Sequence, residues 1–214
     1  MVRIFYSQLD WIDNDQFLRY MKLIPEKIQR DIGKYLKVED KKARLLGKLM
    51  LLQALRSDNK EFLLAHMYVK ENQKPEIKEW YQFNISHSGN FVIFGYSEEP
   101  IGIDIECHSG EIVSTVTNWL HPDELNQIRH VANKTKFFFD TWTKKEALLK
   151  NIGIGLVNKL DEINCLNNQI EYGSQKFYFH PLNFNSGYSA YICYAMPKPD
   201  IAITEFRPGI ILKK

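Results

Sequence analysis

The stretch that leaves this chain least freedom is Ile101-Gly102-Ile103-Asp104-Ile105-Glu106. Successive side chains of an extended strand face opposite ways. Ile101, Ile103 and Ile105 therefore form an apolar face that must be covered, and Gly102, Asp104 and Glu106 form the other. Two carboxylates on one side of a strand, beside a glycine that lets a ligand approach, make a hard, oxygen-rich site. Mg²⁺ takes such sites, using one or two carboxylates and completing its shell with substrate phosphates. An edge strand with a solvated acidic face would show the same alternation, so the hexapeptide leaves both readings open.

The whole chain narrows the setting. Its 214 residues suffice for one substantial core or two small lobes. A net charge of +2 argues against a general polyanion binder, so no nucleic-acid partner is expected and any basic function must be local. Cys107, Cys165 and Cys193 are odd in number and lack a C-x-x-C spacing, which suggests a reducing compartment. The first ten residues carry no signal pattern, and no apolar run approaches the roughly 20 residues of a membrane span. A cytoplasmic protein without a membrane partner is the expectation.

Along the chain, residues 2–6 read as a strand. A helical pattern from Asp15 to Leu36 is interrupted at Pro25, which starts a second helix. Residues 40–56 form the clearest helix, with Asp40 as N-cap and Leu45, Leu49, Leu52 and Leu55 as its buried stripe. Between residues 22 and 48 stand nine Lys/Arg (Lys22, Lys27, Arg30, Lys34, Lys37, Lys41, Lys42, Arg44, Lys48) against four acids. They suit either a solvated helical face or a phosphate-binding surface. A turn at Lys74-Pro75 is followed by strands at Phe83–Ser86 and Phe91–Tyr96, joined by Ser86-His87-Ser88-Gly89. That turn offers several donors to a phosphate ester, or is a hydrogen-bonded turn and nothing more. His121-Pro122 starts another helix, and Lys134–Asn151 forms a long one ended by Gly153 and Gly155. On it Glu146 and Lys150 share a face, as a surface ion pair would. Further strands are expected at 177–180 and 188–195, and the last twenty or so residues carry no recognisable chemistry.

Taken in order, these blocks resemble the Sfp-type 4′-phosphopantetheinyl transferases, the class of the enzyme that activates surfactin synthetase. Ile101–Glu106 matches (I/V)-G-(I/V)-D-x-E. Trp142–Lys150 matches (F/W)-(S/C/T)-x-K-E-(A/S)-x-x-K about forty residues on. Phe83–Gly89 matches F-N-I-S-H-S-G, with K-P upstream at Lys74-Pro75. Pro25–Lys27 and Glu39–Gly47 are similar as well, so the likeness covers nearly the whole chain. Two departures stand out. Ala43-Arg44 replaces an arginine followed by a small residue, a rotation of about 100° on a helix. Ile154 replaces a lysine between the two glycines.

The resemblance implies an α+β fold of two pseudo-symmetric lobes, here residues 1–100 and 101–214, with coenzyme A in the cleft between them. It implies transfer of phosphopantetheine from coenzyme A to a serine of an acyl or peptidyl carrier protein, by a monomer. Asp104, Glu106 and Glu146 would be the Mg²⁺ ligands, with Mn²⁺ as a substitute ion. Glu146 would be the base for the carrier serine, with Glu124 as second choice, and Lys150 would meet the diphosphate. Ser86, His87, Arg44 and Lys27 would hold the 3′-phosphate and its surroundings, joined by Arg30 and Lys74, while Asp104 meets the coenzyme through the metal. The competing readings are another Mg²⁺-dependent phosphotransferase or hydrolase of a nucleotide diphosphate, and a catalytically silent coenzyme A-binding module.

Overall fold

The structure is a computed structural model that describes residues 1–69, 74–108, 118–155, 160–195 and 199–212. Strand β1 (Val2–Gln8) leads into helices α1 (Asn14–Met21), α2 (Glu26–Gly33) and α3 (Val38–Ser57). Two short strands follow, β2 (Tyr68–Val69) and β3 (Pro75–Glu76), and then β4 (Gln82–Ser88), β5 (Phe91–Ser97) and β6 (Ile101–Cys107). Helices α4 (Pro122–Gln127) and α5 (Lys134–Ile152) precede β7 (Gln169–Tyr172), β8 (Gln175–Pro181), β9 (Tyr188–Tyr194) and β10 (Ile201–Glu205). The fold is α+β, with one four-stranded sheet in the order β10-β1-β5-β4 and another in the order β6-β9-β8-β7.

Local chemistry explains most boundaries. Asp13 caps α1 by accepting from the Gln16 amide at 2.7 Å, and Gln16 Oε1 accepts from the Asp13 amide at 3.0 Å. Pro25 stands immediately before α2. Helix α3 starts at Val38, earlier than expected, so Asp40 lies in its first turn and complements the helix dipole instead of capping it. Residues 45–52 of α3 are almost all buried, because the sheet covers one side and α1, α2 and the 3₁₀ turn at Glu61–His66 cover the others. That surrounding accounts for a run of leucines wider than one stripe. No helix among the described residues is long and apolar enough to cross a membrane.

The expected division at residue 100 does not describe the C-terminal end. β10 returns to pair in parallel with β1, from Val2 opposite Ile201 to Tyr6 opposite Glu205. Phe206 and Ile211 join the core around α3. Ile101, Ile103 and Ile105 do form the apolar face of β6, each 1% exposed or less, in a cluster shared with Ile4, Ile93 and Ile192 from both sheets.

Strand β6 has a backbone partner, β9, on one side. On its other side lies β4, which reaches it through side chains. Asn84 Oδ1 accepts from the Ile103 amide at 3.1 Å, and Ser88 Oγ accepts from the Cys107 amide at 3.0 Å. Ser86 donates to Asp104 Oδ1 at 2.7 Å, and Ser88 donates to Glu106 Oε2 at 2.8 Å. Alternate residues of β4 thus meet alternate residues of β6, and the exposed amides of an edge strand are covered without a backbone ladder.

Gly102 has a different role from the one its sequence context suggests. What approaches it is the backbone of α5: a Cβ there would overlap the Ala147 carbonyl and the Asn151 amide nitrogen. Asn151 fixes that contact by donating through Nδ2 to the Pro100 and Cys193 carbonyls at 3.0 and 2.9 Å. The glycine therefore lets the helix bearing Glu146 and Lys150 lie directly against the strand bearing Asp104 and Glu106. Gly102→Ala should lower stability by about 3 kcal/mol or more in denaturant unfolding, since backbone cannot yield as a side chain can. Gly33→Ala, where an added Cβ meets nothing within 4 Å, should be neutral or stabilise by about 0.4–1 kcal/mol.

Candidate active site

With α5 seated on β6, the alternation of the strand decides where the acids point. Asp104 is 2% exposed, and its Oδ1 accepts from Lys150 Nζ at 2.5 Å as well as from Ser86. Lys150 Nζ also donates to Ser86 Oγ at 3.0 Å, closing a three-membered cluster across β4, β6 and α5. Asp104 Oδ2 and Glu146 Oε1 are buried with no hydrogen-bond partner among the described residues. Burial first, then the charge of Asp104, pushes the Glu146 carboxyl up to about 7, with Lys150 opposing. Glu106 is raised by the same two causes, and hydrogen bonds from Ser88 and the Trp142 indole counter them.

These groups form the acidic end of a cleft of about 760 Å³, a size suited to a nucleotide-bearing ligand. The other end is basic. Arg44 lies over the Tyr35 ring, with Cζ 3.7 Å from its centroid, and its buried Nε has no partner among the described residues. Lys48, one turn further along α3, also lines the cleft, and burial and Arg44 push its amine down to about 8. His87 is on the cleft wall, where desolvation and then Arg44 lower the proton affinity of its ring. Apolar side chains, among them Ile28, Ile32, Met67, Ile85 and Trp142, also line the cleft.

Seven of the sequence-derived site residues thus share one cavity: Arg44, Ser86, His87, Asp104, Glu106, Glu146 and Lys150. Arg44 reaches it despite the one-residue shift of the arginine. Ser86 and His87, adjacent on a strand, face opposite ways as pleating requires. The Ser86 hydroxyl consequently meets Asp104 and Lys150 at the acidic end. Lys74 lies at the margin, its Nζ donating to the Lys150 carbonyl at 3.3 Å. Lys27 and Arg30 are on the exposed side of α2, outside the cleft lining, with Arg30 3.6 Å from Glu26. Tyr35 escaped the sequence reading, and Lys48 and Ser88 entered it only as members of the basic cluster and of the Ser-His turn. Lys48 had one usable signal, its spacing of four from Arg44.

Glu124 must be withdrawn as a proton acceptor. It is 0% exposed, its Oε2 is 2.6 Å from Lys145 Nζ, and its oxygens accept from the His121 and Cys165 amides at 2.8 and 2.6 Å. Lys145 Nζ also donates to the Trp119 and Leu160 carbonyls at 2.8 and 2.9 Å. This is a sealed ion pair that ties α4 to α5 and fixes the turn before Glu146.

No three Asp, Glu, His or Cys side chains among the described residues form a ready-made metal cage. An all-oxygen donor set with two unpartnered buried oxygens fits an ion that takes one or two carboxylates and draws its remaining ligands from phosphates.

Both halves of the chain match known proteins. Residues 11–99 match the family model described as 4′-phosphopantetheinyl transferase, N-terminal, and residues 100–194 match that of the 4′-phosphopantetheinyl transferase superfamily. The chain belongs to this superfamily. It is 31% identical over 151 residues to 4′-phosphopantetheinyl transferase gsp of Aneurinibacillus migulanus, covering 68% of this chain and 62% of that protein. It is 28% identical over 156 residues to a 4′-phosphopantetheinyl transferase of Bacillus subtilis, covering 68% of this chain and 66% of that protein. Against 4′-phosphopantetheinyl transferase Sfp of Bacillus subtilis strain 168 it is 26% identical over 200 residues, covering 86% and 87%. The chain thus spans just under two thirds of the first two relatives' length and most of Sfp.

If the Glu124–Lys145 pair is structural in this superfamily member, Glu124→Gln should cost about 3–5 kcal/mol of unfolding free energy, because it leaves the Lys145 charge buried without a counter-ion. Replacing both, as Glu124→Leu with Lys145→Met, should recover most of that loss in the same denaturant titration.

Proposed function

We propose that this protein transfers the 4′-phosphopantetheine group of coenzyme A to a serine hydroxyl of an apo acyl or peptidyl carrier protein, releasing 3′,5′-ADP. The observation that carries the proposal is the polarity of the cleft. Two unpartnered carboxylate oxygens and Lys150 are carried by β6 and α5, Arg44 and Lys48 by α3, and His87 lies within electrostatic reach of both groups. Coenzyme A has that distribution of charge, with a diphosphate at one position and a 3′-phosphate set apart on the ribose.

In this reading Asp104, Glu106 and Glu146 hold Mg²⁺, or Mn²⁺ in its place, and the ion when bound neutralises the diphosphate. Phosphoryl transfer needs little covalent help from the protein, so the task of the side chains is to position and to balance charge. Arg44 and His87 bind the 3′-phosphate and set how far the coenzyme enters. Tyr35, stacked against Arg44, keeps the guanidinium in place. Lys150 follows the diphosphate, exchanging its contact with Asp104 for the oxygen that becomes the leaving group. Glu146 accepts the serine proton, directly or through a water, as the new oxygen–phosphorus bond forms, and the bond to 3′,5′-ADP breaks with its electron pair leaving on that oxygen. The length of the chain and its two sheets, with the cleft internal, support a monomeric enzyme. The three cysteines, none of them in a disulfide, support a cytoplasmic one.

The test is intact-mass spectrometry of an apo carrier protein incubated with the protein, coenzyme A and Mg²⁺. The expected result is a gain of one phosphopantetheine that disappears with EDTA and falls at least about 100-fold in Asp104→Ala. No gain with any class of carrier would overturn the proposal. His87→Ala should weaken coenzyme A by about tenfold and leave 3′-dephospho-coenzyme A within twofold, as expected for loss of one charge-assisted hydrogen bond. Equal weakening of both would place His87 elsewhere.

A further inference from the structure

We infer that Ser88 is a positioning residue that holds the Glu106 carboxylate ready for the divalent cation. The inference rests on the coenzyme-and-metal reading of the cleft and goes beyond it. Ser88 is the last residue of β4 and makes two contacts of fixed direction. The Cys107 amide can only donate, and it does so to Ser88 Oγ at 3.0 Å. The single hydroxyl proton is thereby turned toward its other neighbour, Glu106 Oε2, at 2.8 Å. One hydroxyl thus grips the backbone of residue 107 and the side chain of residue 106. A long, flexible carboxylate on an edge strand acquires a defined orientation from a neighbouring sheet.

Glu106 lines the cleft and is therefore oriented by Ser88 before any ligand arrives. A carboxylate has about four lone-pair sites, so this contact leaves acceptor capacity for a cation. Outer partners that orient a ligating side chain typically change metal affinity by about 10–100-fold when removed. Ser86 stands in the same relation to Asp104, two residues earlier on both strands. Ser86 also contacts Lys150, so a Ser86 variant would disturb the diphosphate contact as well. Ser88 has no such second role and separates the effect cleanly.

The experiment is Mn²⁺ binding to the coenzyme A-bound protein, followed by electron paramagnetic resonance, with coenzyme A affinity measured separately in EDTA. Ser88→Ala should weaken Mn²⁺ by about tenfold or more and leave metal-free coenzyme A binding within twofold. Ser88→Thr, which keeps the hydroxyl, should restore Mn²⁺ affinity to within about threefold. In a Glu106→Ala background, Ser88→Ala should add nothing, because the residue it acts through is gone. Wild-type Mn²⁺ affinity in Ser88→Ala, failure of Ser88→Thr to restore it, or additive losses in the double variant would each overturn the inference. If the wild-type complex itself bound no Mn²⁺, the metal reading would fall instead, and with it the premise.

Discussion

Strand β6 sits at the edge of its sheet, and the amides of Ile103 and Cys107 are taken by Asn84 and Ser88 of β4, not by another backbone. Joining the sheets in this way has two consequences that a backbone ladder could not have. The side chains doing the joining are polar and short, so hydroxyl groups arrive beside Asp104 and Glu106. The second face of β6 also stays available to α5, whose backbone presses on Gly102. Asp104, Ser86 and Lys150, from three elements far apart in sequence, then meet within hydrogen-bond distance. Isoleucines on the opposite face of β6 lock the register, since a shift of one residue would bury the acids among apolar side chains.

The cleft stores electrostatic cost at both ends. At one end carboxylates crowd together, with Asp104 Oδ2 and Glu146 Oε1 lacking partners and Glu146 raised to about 7. At the other, Arg44 and Lys48 stand one helical turn apart with like charge, and Lys48 is lowered to about 8. Neither arrangement favours the folded chain by itself, because buried groups of one sign repel and are poorly solvated. A ligand carrying phosphates and a divalent cation relieves both ends at once. The Glu124–Lys145 pair shows the contrasting solution in the same molecule: opposite charges, fully buried, each with two backbone hydrogen-bond partners.

Much of this was legible in the residues themselves. The period-two pattern of Ile101, Ile103 and Ile105 fixed the buried face of β6 without outside help, and the ordered blocks pointed to the family that the comparisons show. Four features were not legible, each because it depends on a distant partner. Gly102 reads as room for a ligand until α5 is in place. Glu124 reads as a free acid at a helix start until Lys145, from the next helix, closes over it. β10 is short and mostly exposed, its Ile201 and Ile203 too brief an alternation to mark a strand, and its place is set by pairing with β1. Ser86 belongs with them, since strand geometry alone separates it from His87, yet only the position of β6 shows what it meets.

The central claim is that β4, β6 and α5 build one diphosphate-and-metal site in which Lys150 is held by Asp104 until the coenzyme arrives. A crystal structure with coenzyme A and Mn²⁺, with the metal located by its anomalous signal, tests it most directly. The expected result is Mn²⁺ on Asp104 and at least one of Glu106 and Glu146, with Lys150 Nζ moved from Asp104 to the diphosphate. Mn²⁺ bound away from these carboxylates, or Lys150 still on Asp104 beside an ordered diphosphate, would contradict the account.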